Sequence, residues 1–557
     1  MSDTQTASSS AAAARISDAA HTGPMLAADG TPLKKSLNRA LRVQKMRALA
    51  LIAPLLIFVM VTFIAPIADM LFRSVENQIV SDTLPRTTES LADWDAEGTE
   101  VPGEPVFEAL YDDIFFAQEA KLHTRLGGRL NYELTGMSSL FRKSGRRVED
   151  MGEVYQDQFE DLSDFWKTGE NWTSVMASDD WLTRIQAWDG EGRQPRFELR
   201  DGIEGLLPAT AETYVRFADF IQNEDGDNLY TEDPWAIVYS SLHEDLTGAN
   251  DLASYTGPGA SELKVAAAAA ATFETVNFSQ AFEEIDKDWH ALDVWQTIKV
   301  YSPDYTSGYF LNAVDMQKSI DGPEMRPENQ QIYGILFWRT MVMSVAITLS
   351  CIVLGYPVAW ILANLPTRQA NLLLILVLLP FWTSLLVRTS AWKVMLQQQG
   401  VINDTLVWLG IVATDDRLAL INNQTGTIIA MTHILLPFMI LPMYSVMQTI
   451  QPTYLRAAKS LGATNWTAFW RVYFPQSIPG IGAGSILVFI LAIGYYITPE
   501  IVGGTSGTFI SNRIAFHISS SLNWGLGAAL GAILLAAVLI LYWAYDRIVG
   551  IDNVKLG

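Results

Sequence analysis

Three stretches of this sequence, Ala48 to Ala68, Thr340 to Leu365 and Gln369 to Val387, contain no charged residue. The hydrocarbon core of a bilayer is about 30 Å thick, which an α-helix of about 20 residues can cross. In that medium a lone segment must satisfy its own backbone donors and acceptors, and only a helix does so. Further apolar windows lie within Gly426 to Met447, Ile481 to Thr498 and Trp524 to Tyr545. The fold class expected is an all-α membrane protein with six transmembrane helices.

The charges flanking these windows suggest an orientation. Lys34, Lys35, Arg39, Arg42, Lys45 and Arg47 crowd the approach to the first window, and basic residues tend to stay on the cytoplasmic side. Six crossings then place both termini in the cytoplasm, although Arg388 and Lys393, at the far end of the third window, run against the rule. Residues 1–45, rich in Ala, Ser and Thr, read as a disordered cytoplasmic tail. They do not read as a signal peptide, because the apolar run after them starts late and is long. The first transmembrane helix is assigned to 46–75.

Residues 76–330 have a different character. They hold 50 Asp and Glu against 19 Lys and Arg, net −31, while the whole chain carries −22, which leaves +9 for everything else. Eight tryptophans in this block, among them Trp166, Trp172, Trp289 and Trp295, supply enough apolar surface for a domain core. Helical patterns over Phe107 to Leu126, Val148 to Phe165 and Leu263 to Tyr301, with little strand-like alternation, predict a mostly helical periplasmic insertion. The lone cysteine, Cys351, excludes an intrachain disulfide, so packing alone must hold the block together. The five-helix remainder is assigned to 331–557.

Between the fourth and fifth windows lies YLRAAKSLGATNWTAFWRVYFPQSIPGI, Tyr454 to Ile481. Leu455, Ala458 and Leu461 recur at helical spacing, predicting a short helix with one apolar edge. Gly462 permits a turn. Thr464 is a candidate N-cap for a second, amphipathic helix carrying Trp466, Phe469, Trp470, Tyr473 and Phe474 and ending at Pro475. Periodicity alone favours an interfacial loop that sinks its aromatics among lipid headgroups.

The spacing Arg456-Ala457-Ala458, three residues, Gly462, nine residues, Val472-Tyr473-Phe474-Pro475 resembles the EAA loop of binding-protein-dependent ABC importer permeases, usually E-A-A-x3-G-x9-I-x-L-P. Here Arg456 replaces the usual Glu. LGYPVAWILANL, LVLLPFWTSLLVRTSAW, LPFMILPMY and ITPEIVGG are similar to the spermidine/putrescine-type branch, in the same order along the chain. The resemblance implies that loop 454–481 couples to a cytoplasmic ATPase dimer through Arg456, Ala457, Ala458, Gly462 and Pro475. It also implies a second permease chain, generally a different one, a periplasmic substrate-binding protein, and residence in the bacterial inner membrane.

No G-x-x-x-x-G-K-[ST] occurs, so this chain has no P-loop, and ATP would be used by partner subunits. The chain is expected to be a transporter subunit and not an enzyme, with no cofactor of its own. The six histidines are scattered singly, which gives no metal-ligand spacing; His433 is expected inside the bundle. The acidic block disfavours nucleic acid. A polyamine needs carboxylates and aromatic faces along its path, and Tyr495, Tyr496 and Glu500 form the best such group, although two interfacial tyrosines and a solvated glutamate would look the same. Arg388 and Lys393 would suit an anion instead. The alternative function is a membrane-anchored sensor or enzyme working through its periplasmic acidic domain. Acidic neighbours there, such as Glu283 and Glu284, look like solvated helix faces, whereas the ordered signatures lie in the membrane windows.

Overall fold

The computed structural model describes residues 33–549, apart from 249–251 and 253–254. They fall into two units, one up to Phe72 and one from Arg73 onward. Among them, five helices are long and apolar enough to cross a membrane: Leu41–Arg73, Tyr333–Asn364, Gln424–Thr449, Asn465–Gly494 and Trp524–Arg547. A bent pair, Thr367–Trp382 with Leu385–Met395, makes six if it counts as one span.

The first unit is helical from Leu33. The tail expected over the first 45 residues lies outside the described residues as far as 32. Its last part is helix, because residues 33–53 are rich in Leu, Arg, Lys and Ala and contain no Gly or Pro. A wider π-turn at Met60–Ile64 precedes Pro66, and the Ala65 N–H bonds back to the Met60 carbonyl. The same device recurs at Phe469–Tyr473, where the Phe474 N–H reaches the Phe469 carbonyl just before Pro475. Proline lacks an N–H and its ring crowds the carbonyl four residues back. A π-turn shifts the register there and lets the helix continue. The helix expected to end at Pro475 therefore runs on into the span Phe474–Gly494.

The third window departs from a simple crossing. Its helix gives way to a 3₁₀ turn over Leu379–Trp382, Thr383 is extended, and a new helix starts behind Ser384, whose hydroxyl accepts from the Val387 N–H at 3.2 Å. The two pieces meet at 93°. The fifth window also stops early, at Gly494, with Tyr495 extended and short helices at Ile497–Val502 and Ile510–Ser519.

Within the second unit, Tyr333–Asn364, Gln424–Thr449 and Phe474–Gly494 pack on one another around Ile347, Cys351, Met439, Met443 and Val488. The insertion is helical apart from one hairpin, Met316–Ser319 with Gly322–Met325, among the described residues. Its long helix Met137–Leu162 packs against Glu104–Glu119, His123–Leu130 and Ala236–Thr247. Leu263 to Tyr301, which the sequence suggests as one helical stretch, is broken into Ala260–Ala270, Phe278–Ile285 and Leu292–Val300. Asn277 caps the second of these, and Asp286 caps the 3₁₀ turn that precedes the third.

The insertion is built twice. Thr87 donates through both N–H and hydroxyl to Asp113 Oδ2, each at 2.7 Å, and Thr210 does the same to Asp245 Oδ2. The Trp172 indole donates to the Trp166 carbonyl at 2.9 Å, and the Trp295 indole to the Trp289 carbonyl at 2.7 Å. Thr210, Trp289 and Trp295 each follow their counterparts by 123 residues. Ala177, in the first half, bridges Leu199 at the start of the second. Tyr305, in the second half, bridges Glu76 at the start of the first. Each half thus closes on the other, around five fully buried tryptophans, Trp166, Trp172, Trp181, Trp289 and Trp295.

The insertion joins the spans through specific contacts. Asp315 accepts from the Ile332 and Tyr333 N–H groups through Oδ1, both at 2.9 Å, and from the Gly334 N–H through Oδ2 at 2.7 Å. It thereby occupies the unpaired donors at the start of Tyr333–Asn364. The Tyr333 hydroxyl lies 3.0 Å from His517 Nε2.

Candidate functional site

Two regions hold the residues singled out in the sequence. The first is the loop between the spans Gln424–Thr449 and Phe474–Gly494. Its helix runs over Pro452–Ser460, with proline in the first turn where no donor is lost. Gly462 follows at φ +91°. That left-handed conformation suits glycine, and a β-carbon there would meet nothing within 4 Å. The Thr464 hydroxyl accepts from the Thr467 N–H at 3.2 Å, capping the next helix.

Arg456, Ala457, Gly462 and Pro475 are exposed and Ala458 is half-buried. Leu455 and Ala458 line the edge that meets the protein, but Leu461 does not continue it. The helix has ended by then, and Leu461 is 89% exposed. Trp466 is 72% exposed and Trp470 stands against it with ring centroids 5.6 Å apart. The loop therefore presents a basic, small-residue helix beside a projecting leucine and tryptophan.

The second region lies where the chain leaves the helix after Gly494. The break frees backbone groups that would be costly in an apolar surrounding, and the protein supplies partners for them. The Ser511 hydroxyl donates to the Tyr495 carbonyl at 2.7 Å, and Asn512 Nδ2 donates to the Tyr496 carbonyl at 2.9 Å. The same Asn512 nitrogen donates to Glu500 Oε2 at 2.6 Å. Tyr495, Tyr496 and Glu500 are thus gathered around one segment, Ile510–Asn512. Glu500 and Tyr496 are exposed, and Tyr495 is half-buried.

Other residues meet them. The bent pair brings Leu385–Met395 against Ile497–Val502, with Thr389 and Thr498 hydroxyls 3.0 Å apart. Arg388 lies within electrostatic reach of Tyr495 and His433, and its Nε has no hydrogen-bond partner among the described residues. His433 is not inside the bundle. It is exposed, and its Nδ1 accepts from the Trp392 indole at 3.1 Å. Ser511 and Asn512 escape a reading by motif, and Trp392 closes the segment LVLLPFWTSLLVRTSAW without that motif naming its partner. The break at Tyr495, legible only in three dimensions, is what recruits the first two.

No group of three or more His, Cys, Asp or Glu suited to a metal ion occurs among the described residues. The loop leaves Leu461 and Trp466 exposed, and the break leaves the Glu500 carboxylate and Tyr496 exposed beside a half-buried Tyr495.

The family described as the inner membrane component of binding-protein-dependent transport systems matches residues 335–549. The spermidine/putrescine transport system permease protein PotB of Salmonella typhimurium (strain SL1344) is 36% identical over 220 residues, which cover 39% of this chain and 76% of that protein. PotB of Escherichia coli (strain K12) is also 36% identical, over 39% of this chain and 79% of its own length. The inner membrane ABC transporter permease protein YdcU of the same Escherichia coli strain is 34% identical, over 40% of this chain and 73% of its own.

Proposed function

The chain belongs to the family of inner-membrane components of binding-protein-dependent transport systems, and from that premise we propose that it imports a polyamine such as spermidine or putrescine. In this reading it is one of two permease subunits, generally unlike, that form the path together. A cytoplasmic ATPase dimer supplies the work and a periplasmic binding protein delivers the solute. Both termini lie in the cytoplasm and the insertion stands on the periplasmic side.

The observation that carries the coupling role is the exposed loop at Arg456 to Gly462. Leu461 sits on a left-handed glycine turn almost wholly in solvent. Burying an exposed leucine stabilises an interface by about 2 kcal/mol, and the small side chains of Ala457 and Ala458 allow close approach. Closure of the ATPase pair moves this loop, and the continuous helix Asn465–Gly494 carries the motion to the break at Tyr495. The substrate class rests on the named relatives and on Glu500, the one acidic residue between Asp416 and Asp546. An ammonium group is stabilised by such a carboxylate and by the faces of Tyr495 and Tyr496. Arg388, with its unpartnered Nε, favours a second reading, an anionic solute.

Uptake of labelled spermidine by cells lacking the gene, with and without the restored chain, tests the reading. Restored uptake that excess unlabelled putrescine suppresses, and an anionic competitor does not, is the expected result. Uptake unchanged by the chain, or suppressed by the anion alone, overturns the polyamine assignment.

A further inference from the structure

The charge of the insertion is unevenly spread. Residues 121–147 hold seven Lys and Arg against one acidic residue, Glu133, a net of +6 inside a block of −31. The segregation runs along a single helix. Met137–Leu162 carries Arg142, Lys143, Arg146 and Arg147 in its first half, and from Glu149 onward its only charges are acidic, Glu160 and Asp161 in the last turn among them. Carboxylates at a helix C-terminus oppose the helix dipole, so the helix itself gains nothing from this order.

The basic end is the end beside the spans. Tyr132, in the turn that leads into the helix, packs on His517 with ring centroids 5.7 Å apart, and His517 belongs to Ile510–Ser519, which packs on the last span. His123–Leu130 lies alongside, so close that a β-carbon at Gly127 would meet Ser138 at 3.3 Å, and Arg142 Nη2 donates to the Ser138 hydroxyl at 3.2 Å. Arg125 and Gly128 line an open cavity with Leu522 and Trp524, at the head of the span Trp524–Arg547. Glu76 and Asp82 line that cavity too; Arg142 and Arg146 stand outside it. Lys143 and Arg147 pair with Asp286 and Asp150, whereas Arg125, Arg142 and Arg146 are exposed and have no ion pair among the described residues. Leu522 is 64% exposed and Trp524 50%, an apolar and an aromatic side chain where a span meets the headgroup region.

We propose that this basic face docks on anionic lipid headgroups in the leaflet on the insertion side, with Arg125, Arg142 and Arg146 against the phosphodiester charges and Leu522 and Trp524 set into the same surface. Two features together favour a lipid surface over an acidic protein: the cations are free, and they adjoin exposed apolar side chains at the level where a span enters the bilayer. The rest of the insertion, at −37, is repelled by the same headgroups, so the patch also decides which face turns toward the membrane. The inference needs only the spans and holds whatever solute is carried.

The test uses the full chain in its assembled transporter. Ser139, exposed three residues before Arg142, is changed to cysteine and labelled with a fluorophore; the chain's own cysteine, Cys351, is buried and does not compete for the label. The complex is reconstituted in phosphatidylcholine bilayers that hold a small fraction of an acyl-labelled acceptor, either phosphatidylglycerol or phosphatidylcholine. Energy transfer to the phosphatidylglycerol acceptor at least about twofold above that to the phosphatidylcholine acceptor, declining as salt is raised, is the expected result. One cation near an anionic surface changes association by about fivefold. Arg125→Glu, Arg142→Glu and Arg146→Glu combined should therefore abolish the excess, while the same three positions changed to Lys, and Arg193→Glu at an exposed position outside the patch, should retain it. Equal transfer to the two lipids, an excess that survives the triple charge reversal, or one that Arg193→Glu also removes overturns the proposal. Equal transfer with a label that responds only when the periplasmic binding protein is added would also overturn it, and would give the patch to a protein partner instead.

Discussion

Tyr309 of the insertion packs over Gly525 at the head of the last span so closely that a β-carbon at Gly525 would overlap its ring. The Tyr309 hydroxyl also accepts from Arg129 Nε at 2.8 Å, so the ring cannot move without breaking a buried contact. Gly525→Val is expected to lower stability by about 1–3 kcal/mol through overpacking. Thermal unfolding of the full chain, followed by tryptophan fluorescence, reads the shift; an unchanged midpoint would mean that the two parts are not seated on each other here.

The two halves of the insertion offer a paired experiment. Trp172→Phe and Trp295→Phe each remove one indole donor, but the consequences differ. The Trp166 carbonyl keeps a second donor, the Tyr239 hydroxyl at 2.7 Å, whereas no second side chain reaches the Trp289 carbonyl among the described residues. Trp295→Phe should cost about 1–3 kcal/mol and Trp172→Phe less, about 1 kcal/mol. Equal losses in denaturant unfolding would contradict this accounting.

Asp113 gives the insertion a pH dependence. Burial pushes its carboxyl up to about 6 from 3.8, with the hydrogen bonds from Thr87 working in the opposite direction. Between these values the folded state holds the proton more tightly than the unfolded one, so this group favours folding at low pH. That advantage is lost as pH rises from about 4 to about 6. A shift of this size corresponds to ~3 kcal/mol at most. Asp113→Asn should therefore remove part of the fall in stability over that interval. The check is the difference between wild-type and variant unfolding free energies at pH 4 and pH 7, which should change with pH by up to that amount.

At Gly462 the left-handed backbone is the whole constraint, since a side chain there would meet empty space. Gly462→Val should cost about 1–2 kcal/mol of local strain and re-aim Leu461. Retained insertion in the membrane with ATPase association and uptake lost at least tenfold is the expected outcome. Normal association in co-purification would remove this loop from the coupling role.

Glu500→Gln keeps an oxygen for Asn512 Nδ2 and removes only the charge. Spermidine uptake should fall at least tenfold, mainly through a weaker apparent affinity, while the protein's melting temperature stays unchanged. Undiminished uptake would take Glu500 off the path.

Much of the site was legible because its signals are local. Gly462, Thr464 and the aromatic periodicity after it describe the loop from neighbouring residues alone, and the left-handed turn and threonine cap are where that reading puts them. Leu461 and Pro475 were misplaced for one reason: periodicity does not know where a helix stops. Pro475 normally ends a helix, but a π-turn at Phe469–Tyr473 carries the chain past it. The duplication left a trace too, Leu-Pro-x-Thr at 84–87 and 207–210 and paired tryptophans six apart, each pair 123 residues from the other. Those few positions are scattered through unlike sequence, and their shared hydrogen bonds make them recognisable.

The sequence by itself determined that this is a helical membrane protein carrying an acidic, tryptophan-rich insertion, because charge-free runs of such length and a block at −31 each have few physical solutions. It also determined the loop, whose turn and cap depend on residues adjacent in the chain. Only the tertiary structure decided where the third and fifth windows break, that His433 faces outward, and that Asn512 ties Tyr496 to Glu500. Those outcomes depend on partners far apart in sequence. A buried carbonyl or carboxylate takes whichever donor the packing brings within 3 Å, and no local pattern records which one that will be.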